Sequence, residues 1–197
     1  MFLCSAGIVL QCQRNHKYII VVLDKQYGKI DCVVHSFSLS IGSVIEYTLQ
    51  QRGEIFLLRD IRVIYTPLEL GRRGNLLFLH HCIEVILYYA PMEIRIEEAF
   101  LLFNYLYYAI DYRMITIKFK KFFVLKLLTV LGVIPEVEQI RFIAIQKLSR
   151  VDILYFTDNI YNDAQEKQLD KWLWCCIAQN PYIEKFKTVH FLENRLI

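Results

Sequence analysis

Basic side chains are concentrated in one stretch of the sequence that contains no acid. Between Asp111 and Glu136 there is no Asp or Glu, whereas five basic residues fall there: Arg113, Lys118, Lys120, Lys121 and Lys126. A stretch of one charge sign creates a local positive field that attracts phosphates or an acidic peptide. A solvated helix face gives the same pattern, and without further context the spacing favours that simpler interpretation.

A second group of residues has metal-binding chemistry. His80 and Glu84 are four apart, so a helix places both on one face, with His81 next to them in sequence. A closed zinc site needs further ligands, and none is suitably spaced. The six cysteines do not supply them, because no two are separated by two residues. The sequence predicts core or interface histidines, buried reduced thiols, and no metal or cofactor.

Catalytic arrangements are not recognisable in the sequence. None of the seven glycines lies in a phosphate loop of the G-x-G-x-x-G or G-x-x-x-x-G-K type. Glu97 and Glu98 are adjacent, but carboxylates favoured by the helix dipole in a first turn explain them more simply than acid–base catalysis. No Ser-His-Asp or Cys-His arrangement stands out either. We predict that the protein is not an enzyme.

Composition indicates a folded protein without a membrane span. Hydrophobic residues make up 55% of the chain and aromatic residues 14%, enough to bury a substantial core. No stretch approaches the roughly 18 uncharged apolar residues that a spanning helix requires. The amino terminus lacks the basic region and long apolar core of a signal peptide. The expected location is therefore the cytoplasm.

The elements that position these side chains begin with a strand-rich segment. From Ser5 to about Tyr65 the pattern predicts five short strands, including "YIIVVL", "KIDCVV" and "EIFLLRDIRVIY". Gly28 lies at a hairpin turn that requires positive φ, and Arg52-Gly53 is a second turn signal. Five strands in so short a segment suit a small closed barrel of the oligonucleotide-binding (OB) type, or an SH3-like barrel. The long polar connection "HSFSLSIGS" favours the OB type.

After Pro67 the hydrophobic period becomes helical. Apolar residues recur at three- and four-residue spacing in "NLLFLHHCIEVILYYA", "RIEEAFLLFNYLYYAI" and "FKKFFVLKLLTVLG". A further helix is predicted with Asp163 as its N-cap, and a last short one from Pro181. Residues 136–161 are ambiguous between two strands and a helix followed by a strand.

Together these patterns predict an α+β fold in two parts. Residues 1–67 are expected to form the five-stranded OB-type barrel and residues 68–197 an α-helical domain. The two parts are expected to pack directly on each other, because no linker composition separates them.

The order of these motifs resembles the RecO family of bacterial recombination mediators. "SAGIVL" is similar to the family's opening G-x-V-L strand, and Gly28-Lys29-Ile30 to its glycine-basic turn. "IEVILYYAPMEIRIEEAFLLFNYLYYAI" looks like the paired helices in which an acidic segment precedes LF-x-x-L. "KKFFVLKLLTVLGVIP" looks like the basic-then-apolar helix that ends in L-G-x-x-P, and "KFKTVHFL" like a weaker form of the closing K-S-R-x-x-L. The resemblance is collinear over nearly the whole chain, and the order of the motifs carries it.

Two features depart from the family pattern. In the family, the third strand leads into a basic, glycine-containing loop thought to meet single-stranded DNA. Here "VVHSFSLSIG" follows, with no Lys or Arg from Cys32 through Gln51. Many members also carry cysteine pairs after L-G-x-x-P, and this chain has none there. The departures argue against strong DNA binding through that loop and against a structural zinc.

The resemblance implies a non-catalytic mediator of DNA repair and recombination. Such a protein binds single-stranded DNA, anneals strands and helps to load a recombinase. It acts with a RecR-like ring and with the acidic tail of single-strand binding protein. The alternative is a scaffold of the same two parts that has lost DNA binding, which the neutral loop supports.

Candidate site residues follow from this interpretation. OB barrels stack bases on aromatic rings and hold phosphates with cations; the basic candidates are Arg14, Lys17, Lys25, Lys29, Arg52, Arg59 and Arg62. The aromatic candidates, each more typical of the core, are Tyr18, Tyr27, Phe37, Tyr47 and Phe56. The resemblance places the acidic tail on the third helix, where its carboxylates would meet lysines and its terminal ring a pocket. The residues in question are Lys118, Lys120, Lys121, Lys126, Phe122 and Phe123.

Overall fold

A computed structural model of the protein describes residues 2–14, 18–35, 39–53, 55–68, 75–112, 115–133 and 143–188. The strands are β1 (Phe2–Arg14), β2 (Tyr18–Asp24), β3 (Gly28–Val34), β4 (Val44–Arg52) and β5 (Ile55–Tyr65). The helices are α1 (Leu76–Tyr89), α2 (Glu97–Tyr112), α3 (Ile117–Val130), α4 (Ile143–Ser149) and α5 (Asp163–Gln179). Short 3-10 turns lie at Ile153–Tyr155 and Ile183–Lys185. The predicted α+β fold, a five-stranded barrel followed by helices, is confirmed.

The strands close into a barrel in the order β1-β2-β3-β5-β4. All neighbouring pairs are antiparallel except β3 and β5, which close the barrel in parallel at Cys32–Phe56 and Val33–Leu57. β1 pairs with both β2 and β4, and a register shift between Val9 and Gln11 marks the bulge that bends it. A five-stranded barrel of this kind is the OB-type arrangement.

Two hydrophobic cores share the strands of the barrel. One fills the interior and includes Val22, Ile30, Tyr47 and Phe56. The other lies outside the barrel, where Leu10, Val21 and Leu23 of β1 and β2 join the buried residues of the helices. β2 is apolar on both faces because both of its faces are covered. The barrel and the helical region therefore pack directly on each other.

The turn between β2 and β3 fits closely against the helical region. The fully buried carboxylate of Asp24 accepts hydrogen bonds from the backbone N–H of Gln26 at 2.6 Å and of Tyr27 at 2.8 Å. It also accepts one from the Tyr47 hydroxyl. Gly28 follows with a φ of +76°, and its Cα lies so close to the Ile94 carbonyl that an added Cβ would be 1.8 Å from that oxygen. The turn thus depends on a residue without a side chain.

α3 is the central helix of the helical region. It begins after Thr116, whose hydroxyl accepts a hydrogen bond from the Phe119 N–H at 3.2 Å. Its buried residues include Phe122, Phe123, Leu125 and Leu128, which cover most of its circumference. No described helix is long and apolar enough to cross a membrane.

Three local predictions are corrected by the structure. The N-cap of α5 is Asn162 rather than Asp163, because its side chain forms a reciprocal capping box with Gln165. Of the ambiguous residues 136–161, the described part from 143 onward forms α4 and a 3-10 turn and contains no strand. After Pro181 the described residues form only the 3-10 turn Ile183–Lys185, and residues 189–197 lie outside the described part.

Replacing Gly28 by alanine should destabilise the fold more than the same change at Gly53. Both residues have positive φ, +76° and +61°, so each substitution costs about 1–2 kcal/mol in backbone strain. Gly53 has no atom within 4 Å of the added Cβ, whereas Gly28 meets backbone. We expect Gly28→Ala to lose about 1–3 kcal/mol more in the free energy of unfolding by urea. Equal losses in the two variants would contradict the close fit.

Candidate functional site

The lysines of α3 do not form one exposed surface. The Lys121 side chain is 6% exposed, and its Nζ lies 2.7 Å from Glu166 Oε1 and 2.8 Å from Asp170 Oδ1, both on α5. Lys118 lies beside this network, with its Nζ 3.9 Å from Glu166 Oε2 and 5.5 Å from the centre of the Tyr161 ring. These two lysines hold α3 against α5, and their charges are already matched by carboxylates.

The two phenylalanines predicted to shape a surface pocket lie in the core instead. Phe122 and Phe123 have no exposed surface. Phe123 packs edge-on against Phe78 and Phe103, and Phe122 packs against Phe156 at 5.4 Å between ring centres. A ring without exposed area cannot contact a peptide at the surface, so this part of the prediction is wrong. The helix is packed by neighbours on several sides, which its sequence period alone does not reveal.

Lys120 and Lys126 are half-buried and point to different neighbours. The Lys120 Nζ lies 5.8 Å from the centre of the Phe78 ring. The Lys126 Nζ donates a hydrogen bond to the Ser149 carbonyl oxygen at 2.7 Å, at the end of α4. Burial lowers the pKa of both ammonium groups. Arg113 lies outside the described residues, so the predicted positive stretch divides into separate environments.

Lys126 lines a surface groove of about 440 Å³ between α2, α3 and the segment that follows α4. The apolar part of the lining consists of Leu101, Leu102, Tyr105, Val130, Ile153 and Leu154, and the charged part of Glu98, Lys126, Arg150 and Asp152. Leu101 is 50% exposed and Leu154 61% exposed. Exposed apolar side chains around a concave surface are typical of a binding site.

The groove can accommodate an apolar side chain beside charged groups of both signs. Lys126 and Arg150 can pair with carboxylates. The Asp152 carboxylate accepts a hydrogen bond from the Leu154 N–H at 2.9 Å, which fixes the start of the 3-10 turn. Asp152 also partly opposes the fall in the Lys126 pKa that burial causes. The chemistry fits an extended peptide with an apolar end and acidic residues.

Most of the groove was not predicted from the sequence. Of its lining only Lys126 is among the candidates, and Leu101, Tyr105, Arg150 and Leu154 are not. A signal was present, since Leu101, Tyr105 and Tyr108 recur at helical spacing along α2. That spacing indicates an apolar stripe but does not distinguish an exposed stripe from a buried one.

Of the residues considered for a metal, Glu84 and His81 instead hold residues 187–188 against α1. Glu84 accepts hydrogen bonds from the N–H groups of Lys187 and Thr188, each at 3.0 Å, and from the Thr188 hydroxyl. The fully buried His81 has its Nδ1 2.9 Å from the same hydroxyl. These contacts clamp residues 187–188 onto α1. Within the described part of the chain, no three His, Cys, Asp or Glu side chains are grouped to hold a metal ion.

The basic candidates on the barrel fall into two groups. Lys25 is exposed with its Nζ 4.0 Å from Glu97 Oε1, and Lys29 is 8% exposed with its Nζ donating to the Leu87 carbonyl at 2.9 Å. Burial lowers the pKa of Lys29. Both lysines face the helical region, whereas the exposed arginines Arg52, Arg59 and Arg62 lie on β4 and β5. The Arg14 side chain and Lys17 lie outside the described part.

The aromatic candidates of the barrel belong to its interior where they are described. Tyr47 is 3% exposed and Phe56 4% exposed. Tyr27 is half-buried, with its ring centre 5.5 Å from that of Phe56. The Tyr18 side chain and Phe37 lie outside the described residues. The three described rings therefore stabilise the barrel rather than present a stacking platform.

A scan against protein-family models and a search of the curated proteins found no match to this chain.

Removing the buried ammonium of Lys121 should destabilise the fold without affecting a surface site. Lys121→Met removes the nearest ammonium from the carboxylates of Glu166 and Asp170, which are 20% and 25% exposed, and leaves Glu166 only the more distant Lys118. We expect a loss of about 2–4 kcal/mol in urea unfolding. Lys118→Met is the control, because its ion pair at 3.9 Å is more exposed and contributes less than about 1 kcal/mol. Similar stability of the two variants would contradict the structural role of Lys121.

His81 should make the protein less stable in acid. Burial lowers its pKa in the folded protein to about 4, against about 6.5 for an unfolded chain. Above pH 6.5 both states are neutral at this residue. Between pH 6.5 and 4 the unfolded chain binds a proton that the folded chain does not, so acidification favours unfolding.

By pH 4.5 the loss attributable to His81 amounts to about 2–3 kcal/mol. We expect His81→Gln to show a correspondingly flatter fall in unfolding free energy between pH 7 and 4.5 than the wild type. His80→Gln, at the half-buried neighbouring position, should keep the wild-type slope. A wild-type slope in His81→Gln would show that other groups cause the acid sensitivity.

Proposed function

We propose that the protein is a non-catalytic mediator of DNA repair and recombination. In this proposal the barrel binds single-stranded DNA, and the groove between α2 and α3 binds the acidic, hydrophobic-ended tail of single-strand binding protein. The observation that carries the proposal is the groove, an exposed apolar surface with two cations in a helical region attached to an OB-type barrel. The collinear resemblance to the RecO family supports it.

The apolar lining provides the main attraction for the hydrophobic end of the tail. Leu101 and Leu154 are 50% and 61% exposed, so a bound side chain would remove much of their apolar surface from water. Covering half of a leucine contributes about 1 kcal/mol. Val130 and Ile153 lie deeper and give the groove a largely preformed shape, so that little ordering is needed on binding.

The charged side chains of the groove determine the orientation in which the peptide binds. The tail's carboxylates are attracted by Lys126 and Arg150, whereas Glu98 and Asp152 repel them. A peptide is therefore favoured in the orientation that brings its acids near the two cations. A carboxylate close to the Lys126 ammonium would also oppose the lowering of its pKa by burial.

The remaining partners of the proposal are a RecR-like ring and, through it, a recombinase. A scaffold that binds the peptide but not DNA is the second candidate. One observation favours it, since the predicted cations Lys25 and Lys29 face the helical region, where they contact Glu97 and the Leu87 carbonyl rather than a ligand.

A labelled tail peptide tests the groove. We expect the wild type to bind a fluorescent acidic peptide that ends in an aromatic residue with a free carboxylate. Arg150→Gln should weaken binding by about 1–3 kcal/mol if its guanidinium meets a desolvated carboxylate. Leu101→Asp should weaken it at least as much, because it places a charge on the apolar lining.

The double variant Lys118→Gln, Lys120→Gln is the matched control, since it also removes positive charge from the helical region but leaves the groove intact. Normal binding by this control, with weak binding by the groove variants, supports the proposal. Weak binding by the control alone would move the peptide to the first turns of α3. Wild-type protein that does not bind the peptide would remove the basis of the proposal.

A further inference from the structure

The helical region covers part of the surface that OB-type barrels use for nucleic acids. Such barrels bind oligonucleotides on the face of strands 2 and 3, between the loops that connect strands 1–2 and 4–5. Here the outward-facing Val21, Leu23 and Lys29 are only 6%, 0% and 8% exposed. The outward-facing charge on the rest of β3 is Asp31, which is exposed and repels phosphates. A nucleic acid cannot lie along the full length of this face.

A bulge in β5 turns two arginines to the outside of the barrel. In a regular strand Arg59 and Arg62, three residues apart, point to opposite faces. Here Arg59 pairs with Thr48 and Arg62 with Glu46, so three residue steps on β5 oppose two on β4. The extra residue is accommodated next to Asp60, whose φ is +50°.

The interior side chains confirm that the bulge changes which residues of β5 point into the barrel, from even-numbered to odd-numbered positions. Before the bulge Phe56 and Leu58 lie in the barrel core, and after it Ile61 and Val63 pack against the same core. Arg59 and Arg62 therefore both lie outside, and both are exposed.

The arginines of this face are available to a ligand. Within the described part of the chain, no carboxylate lies within 4.0 Å of Arg52, Arg59 or Arg62, whereas Lys25, Lys118 and Lys121 each have such a partner. Ile55 and Ile64, which are 52% and 37% exposed, extend the outer side of β5 at its two ends. Among the described residues, this face thus combines guanidinium groups that form no ion pair with exposed apolar surface.

We propose that single-stranded nucleic acid crosses the barrel over the outer face of β4 and β5. Its phosphates pair with Arg59 and Arg62, and Arg52 extends the contact at the turn between the two strands. Guanidinium groups suit this role because they hold phosphate oxygens in a bidentate manner. The inference rests on the proposed function and assigns DNA to a different face from the one that OB-type barrels commonly use.

The acids on the same face limit the affinity. Glu46 and Asp60 are both exposed there, so three arginines are opposed by two carboxylates. Binding should therefore be modest and sensitive to salt. For single strands each phosphate contact contributes about 0.7 to the slope of log affinity against log salt, so two contacts contribute about 1.4.

Anisotropy titration of a labelled oligothymidylate at several salt concentrations tests the site. We expect the double variant Arg59→Gln, Arg62→Gln to bind at least about tenfold more weakly at low salt and to lose about 1.4 from the salt slope. Glu46→Gln should bind more tightly than the wild type, because it removes a repelling charge. Lys25→Gln, the control, should bind like the wild type, since that lysine faces Glu97. Urea unfolding of each variant establishes that it is folded.

The outcomes separate this inference from the proposed function. If the wild type binds but the arginine variant binds equally well, and Arg14→Gln or Lys17→Gln is weakened instead, DNA uses the other side of the barrel and only the inference fails. If the wild type binds no oligonucleotide while still binding the tail peptide, the DNA-binding half of the proposed function fails too. If polyglutamate binds as tightly as the oligonucleotide and depends equally on Arg59 and Arg62, the face recognises acidic peptides and the inference is overturned.

Discussion

The burial of the outer face of β1 and β2 beneath the helices determines much of the structure. Leu10, Val21 and Leu23 belong to the same core as the helices, and the opposite sides of these strands fill the barrel. A strand covered on both faces cannot also offer a long surface to a ligand. The contact that stabilises the two parts as one unit therefore also decides which surfaces remain for binding. In the part of the chain that the structure describes, the groove beside α2 and the outer side of β4 and β5 stay exposed, and these are the two surfaces that we propose for binding.

The lysines of α3 are close together in the sequence, but packing places them in different electrostatic environments. Its lysines form a positive stretch along the chain, but Glu166 and Asp170 of α5 lie against Lys121. Because a buried ammonium must be matched, the acids that neutralise it come from a helix more than 40 residues away. Lys126, five residues further along α3, lies in a different environment and reaches the groove.

Patterns among neighbouring residues predicted the strands and turns of the fold well. The exposure of individual side chains was not predicted, because it depends on packing between distant segments. The five strands follow from two-residue alternation, and the positive φ of Gly28 and the turn at Gly53 follow from turn chemistry. These features depend on neighbouring residues only. The exposure of Leu101 and the burial of Phe122 depend on how α2, α3 and the segment after α4 meet, and both residues carry equally apolar patterns in the sequence. The groove was missed for the same reason, since Lys126 and Arg150 come together only in the folded chain.

The parallel pairing of β3 and β5, which closes the barrel, has fewer paired residues than any other strand pairing in it. Only the pairs Cys32–Phe56 and Val33–Leu57 join the two strands, whereas β4 and β5 pair along nearly their whole length. Cys32 has no exposed surface, and burial raises the pKa of its thiol, so the closed barrel shields it from alkylation. Separation of β3 from β5 would expose this thiol to solvent and restore its ordinary reactivity. The rate at which the Cys32 thiol is alkylated therefore measures how often β3 and β5 separate.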